Sequence, residues 1–375
     1  MHLIRNNTYS IFILTLLLCT VLHIGSVLGQ IYGSPFVENF NAKDYNASVS
    51  NFDIEQDAHG RMYFGNWSGL LRYDGAEWVK IDFENGKSAY ELDVDDNNVL
   101  HVSGANNFGI IKIDSLGKEY YQPLTPDYEV GEVLEVISCG LKTYYLTEKY
   151  LFEYDRASGL RRIASTGTVV YQGNFHPNGE NAFALNGKMY INIESVGLTV
   201  LKDSTLSPLN DGYLLQSKMI ISSTTVGDQQ LILTGSGELF QYANDQLSRP
   251  NWIPENIQEE IIDYGPKSID GKVSQGKLVV AIGTFKNGLY YFNDEKIVFH
   301  LNQKNGLTNN EVRALRFSGG NLWVATQNGI SKLSGLESFK IWETENEDIG
   351  LIWEMYKYEG KLYIATTKGL YIKEG

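Results

Sequence analysis

Short apolar segments recur along the chain, each followed by a turn, a glycine and a second alternating segment. In the clearest case residues 321–326 (NLWVAT) are followed by residues 329–333 (GISKL), and forty residues later 361–366 (KLYIAT) are followed by 369–372 (GLYI). Alternation of apolar and polar positions predicts half-buried strands, and a glycine suits the tight turn between two of them. Each unit therefore predicts a β-hairpin.

The same pattern occurs six more times. Its second segments begin at Gly69, Phe108, Tyr150, Gly197, Gly237 and Gly288. An apolar segment precedes each hairpin, and an outer strand follows most of them. A period of about 40 to 50 residues is typical of four-stranded propeller blades. The sequence thus predicts an all-β protein, a β-propeller of four-stranded antiparallel blades with about eight blade units, seven being the alternative.

The two ends of the repeat do not match. No outer strand follows residue 372, whereas residues 34–40 (SPFVENF) form a strand-like segment ahead of the first unit. Either this N-terminal strand closes the ring by pairing into the last blade, or the sequence is truncated and further blades or domains are missing. The proline-containing stretch 249–266 is interpreted as a loop between blades that carries a short helix.

Residues 1–29 have the pattern of a cleaved signal peptide. Arg5 precedes an apolar run at 11–22, which is short for a membrane span, and Gly29 precedes Gln30 at a suitable cleavage position. The rest, 30–375, is predicted to be a single propeller domain in the periplasm or at the cell surface. It retains only Cys139 and so cannot form an internal disulfide.

Composition and motifs argue against several functions. A net charge of −14 disfavours a nucleic-acid partner, because phosphate binding needs a basic surface. The histidines of the mature chain (His59, His101, His176 and His300) do not have metal-pair spacing. Asp95 and Asp57 are interpreted as turn residues and not as calcium ligands. We predict no catalytic residue, no cofactor and no metal.

Residues in the turns between inner strands are the candidates for ligand contact, because these turns reach one face of a propeller. They are Trp67, Asn106, Asn107, Phe108, Phe285 and Asn287. Packing in the core or in the turn is the structural alternative for each.

The pattern at 321–333, echoed at 361–372, resembles the two-component regulator propeller repeat, and residues 35–45, 62–66 and 71–75 strengthen the resemblance. It implies the periplasmic sensor region of a bacterial signalling protein that binds an extracytoplasmic ligand, often proposed to be a glycan. In that family an immunoglobulin-like domain, a membrane helix and an output domain usually follow. None is present in these 375 residues, which favours truncation.

The first hypothesis is therefore a non-catalytic ligand-sensing propeller, the input module of a two-component-type protein. Its expected partners are an unknown extracytoplasmic ligand, downstream signalling domains or a partner protein, and a second copy in a homodimer. The alternatives are an exported carbohydrate-active enzyme and a surface scaffold. Two or three carboxylates facing one pocket would favour the enzyme.

Overall fold

The computed structural model describes residues 35–83, 88–165, 180–193, 195–202, 204–336, 350–358 and 361–373. They divide into two compact units, Pro35–Phe339 and a second unit that contains 350–373. In the described residues the first unit consists of seven four-stranded antiparallel sheets, and the second of one three-stranded sheet. The predicted propeller is confirmed, and each of the eight predicted hairpins forms. That 30–375 is a single domain stays a prediction.

The strands follow one another as the repeat predicts, after an initial strand β1 (Phe36–Phe40). Blade 1 consists of β2 (Asn51–Gln56), β3 (Met62–Asn66), β4 (Gly69–Tyr73) and β5 (Trp78–Ile81). Blade 2 consists of β6 (Leu92–Val94), β7 (Leu100–Ser103), β8 (Phe108–Ile113) and β9 (Glu119–Pro123). Blade 3 consists of β10 (Val133–Cys139), β11 (Lys142–Thr147), β12 (Tyr150–Asp155) and β13 (Gly159–Ser165).

The next three blades have the same order. Blade 4 consists of β14 (Ala182–Leu185), β15 (Lys188–Ile193), β16 (Gly197–Lys202) and β17 (Thr205–Pro208). Blade 5 consists of β18 (Ile220–Val226), β19 (Gln229–Thr234), β20 (Leu239–Ala243) and β21 (Gln246–Ser248). Blade 6 consists of β22 (Pro266–Ser274), β23 (Lys277–Thr284), β24 (Leu289–Asn293) and β25 (Lys296–Leu301).

Blade 7 combines the two ends of the first unit. Its strands are β26 (Val312–Ser318), β27 (Asn321–Thr326), β28 (Gly329–Ser334) and, as the outermost strand, β1. β1 pairs with β28 from Phe36↔Ser334 to Phe40↔Ile330. The N-terminal strand therefore closes the ring, but it pairs into the seventh unit and not into the last one. The eighth unit is the separate sheet of β29 (Ile352–Tyr358), β30 (Lys361–Thr366) and β31 (Gly369–Lys373).

Two α-helices and two 3-10 helices are described. They are α1 (Ala42–Tyr45), α2 (Glu255–Tyr264), η1 (Gly212–Leu215) and η2 (Gln303–Asn305). α2 confirms the short helix predicted in the proline-containing stretch between blades 5 and 6. Within the described ranges no helix has the length and apolar character that a membrane span requires.

Hydrophobic clusters between neighbouring blades show that the ring is closed. The described core divides into seven clusters, one for each pair of adjacent blades. Between blades 7 and 1, the Trp323 ring of blade 7 lies 5.6 Å from the Phe64 ring of blade 1, centroid to centroid. Because there are seven sheets and seven filled interfaces, both faces of every sheet in the ring are covered by a neighbouring sheet. A propeller in this way stabilises sheets that would not be stable alone.

The first strand of each blade faces the ring axis. Because the strands of a blade are antiparallel, successive turns lie at alternate ends of the blade. All first strands begin at the same end, called the upper face below, where the turns between second and third strands also lie. At one such turn Gly288 has φ +76°, and a Cβ there would lie 2.0 Å from the carbonyl oxygen of Leu301. No side chain fits that position. The glycines of the repeat share a positive φ, from +76° at Gly288 to +140° at Gly369, which explains the preference for glycine there.

Candidate functional site: the central channel

A channel of about 840 Å³ runs along the ring axis and is lined by residues from the first-strand side of all seven blades. Its charged lining is mainly acidic. The carboxylates are Asp53, Glu55, Glu91, Asp93, Glu132, Glu135, Glu180 and Asp270. The cationic groups are Lys267, Lys272, Arg313 and Arg316.

Several of these carboxylates bind the backbone of the next blade. Asp53 accepts a hydrogen bond from the Leu92 backbone N–H at 2.8 Å. Asp93 does the same for Ser138 at 2.5 Å, and Glu135 for Asn181 at 2.6 Å. We call these contacts inter-blade bonds. Each satisfies a backbone donor that the first strand of the next blade presents to its neighbour.

The series continues around the ring. Glu180 accepts a hydrogen bond from the backbone N–H of Ser223. The Ser222 hydroxyl accepts one from the backbone N–H of Ile269 at 3.2 Å, and Asp270 accepts one from the backbone N–H of Phe317 at 2.6 Å. Between blades 7 and 1 the contact changes in kind, because an Arg316 guanidinium nitrogen donates to Glu55 Oε2 at 2.8 Å. The acidic lining thus has a structural role in holding adjacent blades in register.

Burial raises the pKa of these carboxyl groups. It raises the pKa of Glu55 and of Glu180 to about 8 and that of Asp93 to about 6. For Glu91 and Glu135 burial and then neighbouring carboxylates raise the pKa well above its usual range. Arg316 acts in the opposite direction as the principal counter-charge of Glu55.

The channel opens at the upper face beside a group of aromatic rings. Phe52 lies 4.7 Å from Tyr90 and 6.2 Å from Trp67 between ring centroids, and the Arg313 guanidinium lies 4.9 Å above the Phe52 ring. Trp67 is 58% exposed and lines the channel. Of the six residues predicted for ligand contact, Trp67 therefore has a position from which a ligand in the channel could be reached.

The three consecutive candidates in blade 2 have different positions. Asn106 is exposed, whereas Asn107 is buried and its carbonyl accepts from the Gly104 N–H at 2.8 Å. Phe108 is fully buried and stacks on Tyr145 with centroids 4.1 Å apart. The Phe108 ring belongs to the core between blades 2 and 3, which is the structural alternative stated for it, and it does not reach the upper surface.

The two candidates in blade 6 lie away from the channel lining. Phe285 is 48% exposed, and its backbone N–H donates to the Gly265 carbonyl at 2.7 Å. The Asn287 amide donates to the Tyr290 hydroxyl at 3.1 Å and accepts from Asn302 at 3.3 Å. The structure does not bring the six residues together into one site, and their roles in ligand contact stay predictions.

The turn interpretation of Asp57 and Asp95 agrees with the geometry. Asp57 Oδ1 accepts from the backbone N–H groups of His59 and Arg61, each at 2.9 Å. Asp95 Oδ1 accepts from Asn97 at 2.9 Å and from Val99 at 2.8 Å. Both carboxylates thus close their own turns.

Asp95 has a second contact that the sequence did not indicate, with a buried histidine. His101 is fully buried; its Nδ1 lies 2.6 Å from the Tyr145 hydroxyl and its Nε2 3.0 Å from the Thr143 hydroxyl. Asp95 Oδ2 lies 3.4 Å from Nε2. Burial lowers the pKa of His101, so this ring is a neutral hydrogen-bonding group of the core. His176 lies outside the described residues.

Sequence reasoning missed the channel carboxylates. Asp53, Asp93, Glu135 and Asp270 lie in the first strands of four blades, and Glu180 lies two residues before the first strand of a fifth. With Ser222 of blade 5 included, the positions follow one another at intervals of 40 to 48 residues. That period was the available signal, because acidic residues that repeat with the blade all face the axis of the ring.

The chain is similar in fold to propellers of two functional kinds. It matches the extracellular domain of a protein assigned to a hybrid two-component system of B. thetaiotaomicron with a TM-score of 0.62 and 18% identity, over 92% of this chain and 48% of that one. A second such domain from the same organism matches with a TM-score of 0.56 and 19% identity, over 92% and 46%. The chain thus spans about half the length of these domains.

Enzymes share the fold as well. Virginiamycin B lyase of Staphylococcus aureus matches with a TM-score of 0.58 and 11% identity, over 80% of this chain and 99% of that one. No family model and no curated protein matches the chain. Structural neighbours at these identities show the architecture alone, and they place the chain among the β-propellers, in agreement with the resemblance to the two-component regulator propeller repeat.

Proposed function

We propose that this chain is the extracytoplasmic, ligand-sensing propeller of a bacterial two-component-type signalling protein. The observation that carries the proposal is the match over 92% of the chain to an extracellular domain of a hybrid two-component system. The signal-peptide pattern of residues 1–29 supports export, although those residues lie outside the described part of the structure. A glycan is the ligand class that the sequence resemblance implies.

The central channel is the ligand site that the geometry favours. It is concave, it is large enough for a small molecule, and charged groups from several blades converge on it. A ligand that contacts several blades would shift the relative position of their first strands. Such a shift is a route by which occupancy could reach attached domains or a partner copy.

Ligand binding to the purified chain is the direct test. We would titrate a panel of soluble oligosaccharides and small metabolites and follow the thermal unfolding temperature and the binding heat. If a compound binds to the chain and Trp67→Ala weakens that binding, the result supports a sensor whose ligand enters at the upper face. Chemical conversion of a bound compound, followed by mass spectrometry, would contradict a non-catalytic role.

An exported enzyme is the second candidate, because the channel meets the criterion stated for it. Several carboxylates face one pocket, and Glu55 and Glu180, with pKa values of about 8, are mostly protonated at neutral pH, as a general acid must be. However, most of these carboxylates already accept inter-blade bonds, which accounts for their position without chemistry. Hydrolysis or elimination products formed by the wild-type chain and lost in Glu55→Gln would favour the enzyme.

A further inference from the structure

Two carboxylates in the channel keep hydrogen-bonding capacity that the described residues do not use. The Glu91 side chain lines the channel and has no hydrogen bond or ion pair with any described residue. Glu135 is only 4% exposed, and one of its oxygens binds the Asn181 N–H, while no described donor reaches the other. Because both residues line the channel, these oxygens can accept a hydrogen bond from a donor supplied from outside the chain.

Like charges surround these two groups. Glu91 and Glu135 repel each other electrostatically, and both are also repelled by Asp53 and Glu180. Lys267 attracts Glu91 from a distance beyond an ion pair, and its own ammonium has no ion pair in the described residues. When these groups are ionised, this part of the channel has an excess of negative charge, which either bound protons or a bound cation can relieve.

The arrangement suits an ammonium better than a metal ion. No group of three or more acidic, histidine or cysteine side chains within the described ranges is close enough to coordinate a metal. An ammonium needs no such shell, because each of its N–H groups binds a separate oxygen in a charge-assisted hydrogen bond.

The aromatic rings at the upper face define the rest of the ligand. Trp67, Phe52 and Tyr90 lie where the channel opens, and Tyr90 is next in sequence to Glu91, which directly precedes β6. Aromatic faces bind apolar or ring-shaped bodies and attract cations. A molecule with a ring and a primary amine could contact Trp67 and direct its ammonium toward Glu91.

We propose that the channel binds a primary organic ammonium, with Glu91 and the second oxygen of Glu135 as acceptors and the rings around Trp67 as the platform for its body. This proposal rests on the proposed sensing function and names the ligand chemistry of that site. Amino sugars and alkyl polyamines share this chemistry. Binding of the ammonium would lower the pKa of Glu91 and Glu135, so these groups would release protons. The affinity should therefore rise with pH as long as the amine stays protonated. Asp53, Glu180 and Lys267 interact electrostatically with the two glutamates, so their protonation also contributes to this pH dependence.

Isothermal titration of the full chain at pH 8 and low salt tests the proposal. Benzylamine is compared with benzyl alcohol, which has the same ring without the charge, and glucosamine with glucose. We expect binding by the amines only. Glu91→Gln and Glu135→Gln should each weaken amine binding about tenfold or more, since charge-assisted hydrogen bonds are lost. The exposed Asp294→Asn serves as the matched control and should leave it unchanged within twofold.

Each outcome decides the proposal. Tighter binding of glucosamine than of 1,5-diaminopentane supports it with an amino sugar as the source, and the reverse order supports it with a polyamine. If the alcohol binds as well as the amine, or if Glu91→Gln binds benzylamine normally while its thermal unfolding temperature is unchanged, the proposal is wrong. Binding of neutral oligosaccharides without any amine binding would overturn the ammonium and leave the sensing function intact.

Discussion

Blade 7 and the eighth sheet carry nearly the same hairpin, yet their side chains lie in opposite surroundings. β26–β27 and β29–β30 share a register and a β-bulge at the same place, at Val312/Ala314 and at Ile352/Glu354. Ile330 is fully buried, whereas Leu370 at the matching position is 65% exposed. The hairpin pattern therefore specifies the sheet, and neighbouring sheets decide whether its faces are buried.

The edges of the two sheets differ in the same way. In blade 7 the third strand, β28, pairs with β1, so its backbone groups are satisfied by a strand nearly 300 residues away in the sequence. In the described residues β31 has no such fourth strand. An unpaired strand edge and exposed apolar side chains, among them Trp353 at 76%, make the eighth sheet the less stable region.

The largest expected difference between the two regions concerns their aromatic residues. Trp323→Ala removes a ring that is 3% exposed and packs on Phe40, Phe64 and Tyr73, and it should lower the free energy of unfolding by about 3–5 kcal/mol. Tyr363→Ala at the matching position should cost about 1 kcal/mol. Urea denaturation followed by circular dichroism measures both, and equal losses would contradict the difference in packing.

A smaller effect is expected from an inter-blade bond, a contact described only in the ring. Asp270→Ala leaves the Phe317 N–H and the Thr224 hydroxyl without their acceptor and should cost about 1–3 kcal/mol. Asp270→Asn keeps an acceptor and should recover most of this loss. If alanine and asparagine destabilise the ring equally in urea denaturation, the carboxylate does not act through this hydrogen bond.

The acidic channel should also make the stability of the ring depend on pH. The folded pKa of Glu180 is raised from 4.5 to about 8, so the folded state binds its proton more tightly than the unfolded chain does. This contribution is complete below pH 4.5 and is lost as the pH rises to about 8. Urea denaturation midpoints measured at several pH values across this range should fall as the pH rises, and they should fall less steeply in Glu180→Gln. If the dependence of the midpoint on pH is the same in Glu180→Gln as in the wild type, Glu180 is not a cause of it.

The smallest effect is expected at an exposed apolar position of the eighth sheet. Leu370→Ala should change the free energy of unfolding by no more than about 0.5 kcal/mol. The buried Ile330→Ala at the equivalent position should cost about 2–5 kcal/mol. This pair has nearly the same side-chain volume and the same register, so the ratio of the two losses measures the contribution of the neighbouring blade alone.

The sequence predicted the local structure better than the site. The hairpins, the short helix at 255–264 and the turns of Asp57 and Asp95 depend on residues close in the chain, and periodicity and turn chemistry indicate them. Closure of the ring by the N-terminal strand is one of the two explanations that the sequence offers, but with the last unit as its partner, and only the assembled ring identifies β28 of the seventh unit instead.

The channel required information that local patterns do not contain. Asp53 and Asp93 are 40 residues apart, and each contacts the blade that follows it, so their convergence depends on ring closure. The sequence predicts Phe108 as a ligand-contact residue because it follows a turn, but its side chain points into the interface with Tyr145. Which side of a blade a turn residue faces is set by the neighbouring blade.

Hydrogen exchange of the full chain, read peptide by peptide with mass spectrometry, tests ring closure most directly, and the channel exists only if the ring is closed. We expect the amides of β1 and β28 to be protected as strongly as those of β19 and β23, and the amides of β29–β31 to exchange much faster. Fast exchange in β1 together with slow exchange in β29–β31 would contradict a seven-bladed ring closed by the N-terminal strand.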